Sequence, residues 1–149
     1  MLRPEPISVS DLNSYIKDKI GNDEFLNNDY NQAQAIEIKW ENQWKNASSL
    51  TFEYSRDSNF SSKISAELNV TDESILLYNL FKSSTYFCRL ILNVDGEEVI
   101  CESSFRTSDL GPRTLHIDNI YNTRDLGGYL TESGKTTKQG ILYRGGNLV

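Results

Sequence analysis

The chain has 149 residues, a length that allows one domain with a sizeable core and part of a second unit but excludes two full domains of typical size. Its net charge of −6 arises in residues 1–107, which hold 17 acidic and 10 basic residues, whereas residues 108–149 hold 4 acidic and 5 basic residues. The acidic larger part lacks the clustered basic face of a nucleic-acid-binding protein, so nucleic acid is not an expected partner.

The N-terminal residues carry no targeting signal that we can identify. They lack the apolar core of a signal peptide, and no run in the chain approaches the ~20 apolar residues of a membrane span. The sequence therefore predicts a soluble, cytoplasmic protein. A leader removed before residue 1 would change that prediction to export.

Residues 10–21 predict one short amphipathic helix. Ser10 is a candidate N-cap, Gly21 is a candidate C-terminal stop, and the residues between them place apolar side chains at helical spacing. These apolar residues are Leu12, Tyr15, Ile16 and Ile20.

From about residue 33 the apolar period changes to two, which is typical of strands with one buried face and one wet face. The alternating runs are residues 36–40, 50–54, 64–70, 75–77, 86–92 and 99–105. Asp95-Gly96 favours positive φ and predicts a tight hairpin between the last two runs. Several short strands without intervening helices predict an antiparallel sandwich.

Within these strands the sequence resembles a fibronectin type III domain over residues 30–107, leaving residues 1–29 as an N-terminal segment. Trp40 closes AIEIKW as the core tryptophan closes the second strand of that family, and Leu80 stands six residues before Tyr86, the spacing of the family's tyrosine corner. We therefore expect the Tyr86 hydroxyl to bond to nearby backbone while its ring fills the core. The family's first strand has no assigned counterpart.

The two cysteines are predicted to be small buried residues. If Asp95-Gly96 is the turn, Leu90 faces Cys101, and Cys88 lies one step diagonally from Cys101 on the same inward face, a poor geometry for a disulfide. Cys101 also precedes Arg106 with four residues between them, where cysteine phosphatases have five. A phosphate-binding loop is not expected in an alternating strand, so Cys101 is not a predicted nucleophile.

Gly111-Pro112 predicts a linker over residues 108–113. The following residues include NTRDLGGYLTESGKTTKQGILYRGGNL, which resembles the beginning of a bacterial family of protein-tyrosine phosphatases that also accept phosphoserine, phosphothreonine or phosphoinositides. Ser133-Gly134 predicts a hairpin turn within this run. The matching residues are Asn122, Arg124, Asp125, Leu126, Gly127, Gly128, Leu142, Tyr143, Arg144, Gly146 and Leu148.

The resemblance implies that residues 114–149 are the incomplete N-terminal portion of an α/β phosphatase domain. It implies catalysis by a low-pKa cysteine thiolate, an arginine and loop amides that hold the phosphate, and an aspartic acid that protonates the leaving oxygen. None of these catalytic residues can be assigned to this chain, which is expected to be an inactive fragment. His116 has no catalytic partners around it, and no metal ligand cluster or cofactor motif is present in the sequence.

Six residues of the phosphatase-like run are the candidate site residues, with a structural or phosphate-positioning role. The structural role is favoured, because glycines permit close backbone approach and an arginine fork suits carboxylate, carbonyl and phosphate alike. We expect residues 114–149 to be mobile, to pack on the sandwich, or to pair between chains as a dimer. The candidates are Asn122, Arg124, Asp125, Gly127, Gly128 and Arg144.

The sequence as a whole predicts a mainly β chain that forms the N-terminal part of a cysteine-dependent phosphatase. The sandwich would dock on the catalytic domain or present a phosphorylated protein or phosphoinositide substrate, and the remainder of the phosphatase domain would be its first partner. The alternative is a stand-alone fibronectin-type interaction or adhesion module without catalysis.

Overall fold

A computed structural model describes residues 33, 35–44, 46–109, 111–118 and 120–146. The predicted helix at residues 10–21 lies outside these residues. In the described part no helix is long and apolar enough to cross a membrane. Nine β-strands are present there: β1 Ile36–Lys39, β2 Ala47–Ser55, β3 Lys63–Leu68, β4 Ser74–Leu77, β5 Thr85–Val94, β6 Glu97–Arg106, β7 Arg113–Ile117, β8 Ile120–Asp125 and β9 Tyr143–Arg144.

The largest sheet has four antiparallel strands in the order β3-β2-β5-β6. The turn between β5 and β6 is Asp95-Gly96, and both residues have positive φ, 54° and 88°. A turn of this kind matches the twist of the flanking strands and fixes their register. The predicted hairpin is thereby confirmed, with Leu90 opposite Cys101.

A second, two-stranded sheet pairs β1 with β4, and both sheets contribute to one hydrophobic core. Phe52 of β2 is 1% exposed and stacks against Trp40, with ring centroids 6.2 Å apart. The Trp40 indole N–H donates to the Asp72 carbonyl at 2.9 Å, which satisfies its polar end. The buried apolar residues of this core are Leu50, Phe52, Leu77, Cys88, Leu90 and Leu92.

Glu53 occupies a β2 position predicted to be wet, but the structure buries it to 5% exposure. Its carboxylate binds Lys63 at 2.6 Å and Arg89 at 2.8 Å, and it accepts a hydrogen bond from Ser65 at 2.9 Å. The Arg89 guanidinium in turn lies 4.3 Å from the centre of the Phe60 ring. Cross-strand cations surround this carboxylate, and a loop aromatic packs on one of them, an arrangement that alternation alone cannot predict.

The connection between β4 and β5, residues 78–84, is called here the β4–β5 turn. Tyr86 is 5% exposed, and its hydroxyl oxygen accepts a hydrogen bond from the Phe81 N–H at 2.9 Å, as predicted. Thr107, just after β6, is held to the same turn. Its hydroxyl donates to the Phe81 carbonyl at 2.6 Å and accepts from the Ser84 N–H at 2.9 Å, while its N–H donates to the Ser84 carbonyl at 3.0 Å.

Both cysteines are free thiols. Cys88 is opposite Ser103 and Cys101 is opposite Leu90, so the two cysteines are diagonal neighbours as predicted. Burial raises the pKa of the Cys88 thiol, which disfavours the reactive thiolate. Cys101 and Arg106 both lie in the extended strand β6, which confirms that their spacing does not form a phosphate-binding loop.

The C-terminal residues form a third antiparallel sheet in the order β7-β8-β9, with β8 in the centre. Between β8 and β9, Leu130 bridges to Thr136 around a turn in which Gly134 has a φ of 75°. The predicted Ser133-Gly134 turn is therefore confirmed. Residues 113–146 are called the C-terminal unit, and residues 35–107 the β unit.

Candidate functional site

Asp125, the last residue of β8, is the most buried side chain of the phosphatase-like run, with 0% exposure. One carboxylate oxygen accepts the Gly127 N–H at 2.8 Å, and the other accepts the Gly140 N–H at 2.7 Å and binds the Arg113 guanidinium at 2.6 Å. Burial alone would raise the pKa of Asp125, but these hydrogen bonds and the arginine charge outweigh it and lower the pKa. Asp125 is therefore an ionised anchor inside the protein.

Arg113 supplies the cation for Asp125 and also contacts the β unit. Its Nε donates to the Leu80 carbonyl at 2.8 Å, and a terminal nitrogen donates to the Asn79 carbonyl. The guanidinium lies 4.1 Å from the centre of the Phe81 ring. A planar guanidinium with several donors suits such a divided set of acceptors, so one side chain connects β7, the end of β8 and the β4–β5 turn.

Gly127 and Gly128 allow the chain after Asp125 to lie directly against residues 138–139. A Cβ at Gly127 would overlap the Lys138 carbonyl oxygen. Gly128 has a φ of 81°, and its N–H donates to the Thr137 carbonyl at 2.9 Å. The two glycines thus have a structural role, one through close approach and the other through positive φ.

Arg124 and Arg144 are directly paired in the register between β8 and β9. Residues opposite each other in an antiparallel pair project to the same face of the sheet, so these two cations share one face. Arg144 is exposed.

Asn122 and Thr123 bring polar atoms into the interior of the C-terminal unit. Asn122 has a φ of 56°, and Thr123 is 4% exposed. The Asn122 Oδ1 and Thr123 Oγ1 atoms are buried, and neither has a hydrogen-bond partner within the described structure. The six candidate residues thus all lie in the C-terminal unit. Asp125, Gly127 and Gly128 lie where this unit contacts the β4–β5 turn, a contact called the joint here, and Arg124 and Arg144 lie on a sheet face.

Two further side-chain contacts connect the C-terminal unit with the β4–β5 turn. The Asn79 amide donates to the His116 carbonyl at 2.9 Å and accepts the His116 N–H at 2.7 Å. Gln139 makes a similar pair of bonds with the Lys82 backbone. The described residues of the C-terminal unit thus pack on the β unit, and pairing between chains stays a prediction.

Sequence reasoning missed Arg113, Asn79 and Gln139 as parts of this joint. The predicted linker over residues 108–113 includes Arg113, but β7 begins at this residue. The signal for Arg113 was Asp125, because an enclosed aspartate needs a cation beside it. The sequence does not indicate which cation binds Asp125, because the partners are far apart in sequence.

The C-terminal unit also leaves large apolar side chains in solvent. Their exposed fractions range from 42% at Ile117 to 75% at Leu130. Large apolar side chains exposed in one short part of a chain indicate a candidate interface. The side chains concerned are Ile117, Leu126, Tyr129, Leu130, Ile141, Leu142 and Tyr143.

Part of the chain matches a known protein family. Residues 115–149 match the tyrosine phosphatase family. The match begins within β7 and includes β8, the Ser133-Gly134 turn, β9 and all six candidate residues. No curated protein matches the chain.

The matched segment contains no cysteine, so residues 115–149 cannot supply a thiolate nucleophile. Across the described residues, no group of three or more His, Cys, Asp or Glu side chains could hold a metal ion. What the arrangement of Asp125, Arg113 and the glycines can do is fix the position of the segment relative to the β unit.

Proposed function

We propose that this chain is the N-terminal part of a cysteine-dependent protein-tyrosine phosphatase, of dual or phosphoinositide specificity, in which the β unit docks on the catalytic domain or presents substrate. The observation that carries the proposal is the match of residues 115–149 to the tyrosine phosphatase family. The segment is also folded and fixed, since Asp125 is enclosed and ionised. The parent polypeptide is thus a phosphoric monoester hydrolase.

In this proposal the covalent chemistry belongs to a later part of the polypeptide. A cysteine thiolate attacks the phosphoryl group, an arginine and loop amides hold the phosphate oxygens, and an aspartic acid protonates the leaving oxygen. Cys88 does not fit the nucleophile, because burial raises its pKa. We therefore expect the 149-residue chain to be inactive by itself.

The phosphatase segment contributes positioning and charge to the reaction. Asp125, Gly127 and Gly128 hold the chain at the joint, and Asn122 turns the chain within β8. Arg124 and Arg144, paired on one sheet face, add positive potential that favours a phosphorylated substrate. The exposed apolar side chains of the C-terminal unit form the surface on which the remainder of an α/β catalytic domain packs.

We assign the β unit to the fibronectin type III sandwich. The pairing of a two-stranded sheet with a four-stranded sheet in the order β3-β2-β5-β6 supports this assignment. So does Tyr86, whose hydroxyl accepts the Phe81 N–H from inside the core. A domain of this kind presents loops and strand edges, which suits a docking or substrate-presenting role in a cytoplasmic, bacterial enzyme.

The test is phosphatase activity on p-nitrophenyl phosphate, measured for this chain and for a version extended along its reading frame. We expect activity in the extended version alone. Activity in the 149-residue chain would contradict the assignment of Cys88 and Cys101 as core residues. If neither version has phosphatase activity, or if the reading frame lacks a Cys-x5-Arg sequence, the proposal is overturned in favour of a stand-alone interaction module.

A further inference from the structure

The side chain of Arg113 touches both the β unit and the Asp125 carboxylate. It is 8% exposed, and the carboxylate that it binds is fully enclosed. Both partners are therefore removed from water. In such surroundings an ion pair is weakly screened, and the loss of either partner is costly.

We propose that Arg113 is a positioning residue that fixes the Asp125–Gly128 loop of the phosphatase segment to the β4–β5 turn, so that the β unit is a structural part of the catalytic domain. The inference rests on the proposed function for its catalytic consequence, but the joint itself lies wholly within this chain. It differs from a docking module that binds and releases, because the contact is made by buried charges rather than by an exposed surface.

The geometry explains why one side chain has this effect. Asp125 accepts N–H groups from Gly127 and Gly140, which belong to the two chain segments that flank the Ser133-Gly134 hairpin. Arg113 binds the Asp125 carboxylate, which in turn binds both segments. The Asn79 and Leu80 carbonyls accept hydrogen bonds from Arg113. Removal of the guanidinium would leave a buried carboxylate without its cation and two carbonyls without this donor.

The direct test is amide hydrogen exchange, measured by NMR on this chain. Arg113→Met is expected to accelerate exchange at Gly127 and Gly140 by about tenfold or more, while the Leu90 amide of the core keeps its protection. Arg113→Lys keeps the charge but lacks the fork that reaches three acceptors, so its exchange rates should lie between those of the wild type and Arg113→Met.

Arg106→Met is the matched control. Arg106 is an exposed arginine at the end of β6, and its contact with Thr85 is long, at 3.5 Å. Exchange at Gly127 and Gly140 should be unchanged in this variant. Unchanged exchange in Arg113→Met, or equal acceleration in the two variants, would overturn the inference. If Arg113→Met loses protection at Leu90 as well, Arg113→Lys decides: acceleration confined to Gly127 and Gly140 supports a positioning role, and unchanged rates refute it.

The catalytic consequence is measured in the extended polypeptide. Arg113→Met should lower kcat on p-nitrophenyl phosphate by about tenfold with little change in KM, because the loop is displaced while the phosphate-binding groups remain. Arg106→Met should match the wild type. An extended wild type without activity would refute the proposed function and leave the exchange result intact, whereas wild-type kcat in Arg113→Met would refute the positioning role alone.

Discussion

The amide of Gln139 is bonded at both its ends to the backbone of Lys82. Its Oε1 accepts the Lys82 N–H at 2.8 Å, and its Nε2 donates to the Lys82 carbonyl at 3.1 Å. A strand partner would make the same pair of bonds, so this side chain acts as a one-residue extension of backbone pairing between the C-terminal unit and the β4–β5 turn.

Replacement of Gln139 by alanine should therefore loosen the joint. The variant loses two hydrogen bonds, each worth about 0.5–1.5 kcal/mol net, and exposes the Lys82 N–H to exchange. We expect faster hydrogen exchange at Lys82 than in the wild type. Gln43→Ala is the control, because Gln43 is exposed and bonds only within its own loop. Equal exchange at Lys82 in both variants would contradict the prediction.

Tyr86→Phe should destabilise the β unit by about 1–2 kcal/mol, because the Phe81 N–H loses its acceptor while the ring remains in the core. The free energy of unfolding in urea measures this loss. Tyr129→Phe is the control, since the Tyr129 ring is 45% exposed. A Tyr86→Phe variant as stable as Tyr129→Phe would show that the hydroxyl contributes no net stability.

Glu53 predicts a pH dependence of stability. Burial alone would raise its pKa, but bonds from Lys63, Arg89 and Ser65 lower the pKa from 4.5 to about 2. A carboxyl group whose pKa is lower in the folded state stabilises the fold above its unfolded pKa, and this stabilisation is lost as pH falls from about 4.5 to about 2.

Glu53→Gln should therefore be less stable than the wild type at neutral pH, with a smaller loss of stability on acidification through that range. Glu102→Gln is the control, because the Glu102 side chain is 62% exposed and lies 3.9 Å from the same Arg89. Urea unfolding at a series of pH values tests the point. Parallel pH profiles for wild type and Glu53→Gln would refute it.

Two glycines of the phosphatase segment should respond differently to alanine. A Cβ at Gly127 meets the Lys138 backbone, which cannot yield without moving the chain, whereas a Cβ at Gly134 meets open space and faces only the strain of a φ of 75°. Gly127→Ala should therefore disorder the hairpin, and Gly134→Ala should cost about 1 kcal/mol.

Limited proteolysis within residues 126–140 compares the two glycine variants. Cleavage should be faster in Gly127→Ala than in Gly134→Ala. The reverse order would mean that the close approach of Gly127 to residues 138–139 is not needed for the packing of the hairpin.

Much of the β unit could be predicted from sequence, because its signals are local. Alternation placed β2 and β5, and Asp95-Gly96 fixed the hairpin between β5 and β6. The joint could not be predicted, because the residues that form its contacts follow no periodic pattern in the sequence. Arg113 and Asp125 are 12 residues apart, and Lys82 and Gln139 are 57 residues apart. Side-chain geometry in three dimensions, rather than any local pattern, selects these partners.

The candidate site likewise has one part that local sequence predicts and another part that it does not. The glycines and Asp125 were identified from their order in the run, and the structure places them together at one loop. The pairing of Arg124 with Arg144 required the register of β8 and β9, which is set by a connection of more than a dozen residues. The enclosure of Glu53 likewise depends on cations from β3 and β5.

The connection between the two units leaves and returns to the same turn: Thr107 is bonded to Phe81 and Ser84, and Arg113 to Asn79 and Leu80. Both ends of the connection are thus bonded to the β4–β5 turn, so the length of the connection does not set the distance between the units. A short Gly-Ser insertion after Asp109 should bulge outward and leave Gly140 amide exchange unchanged, and faster exchange would contradict this. We therefore expect the orientation of the units to tolerate insertions in that stretch.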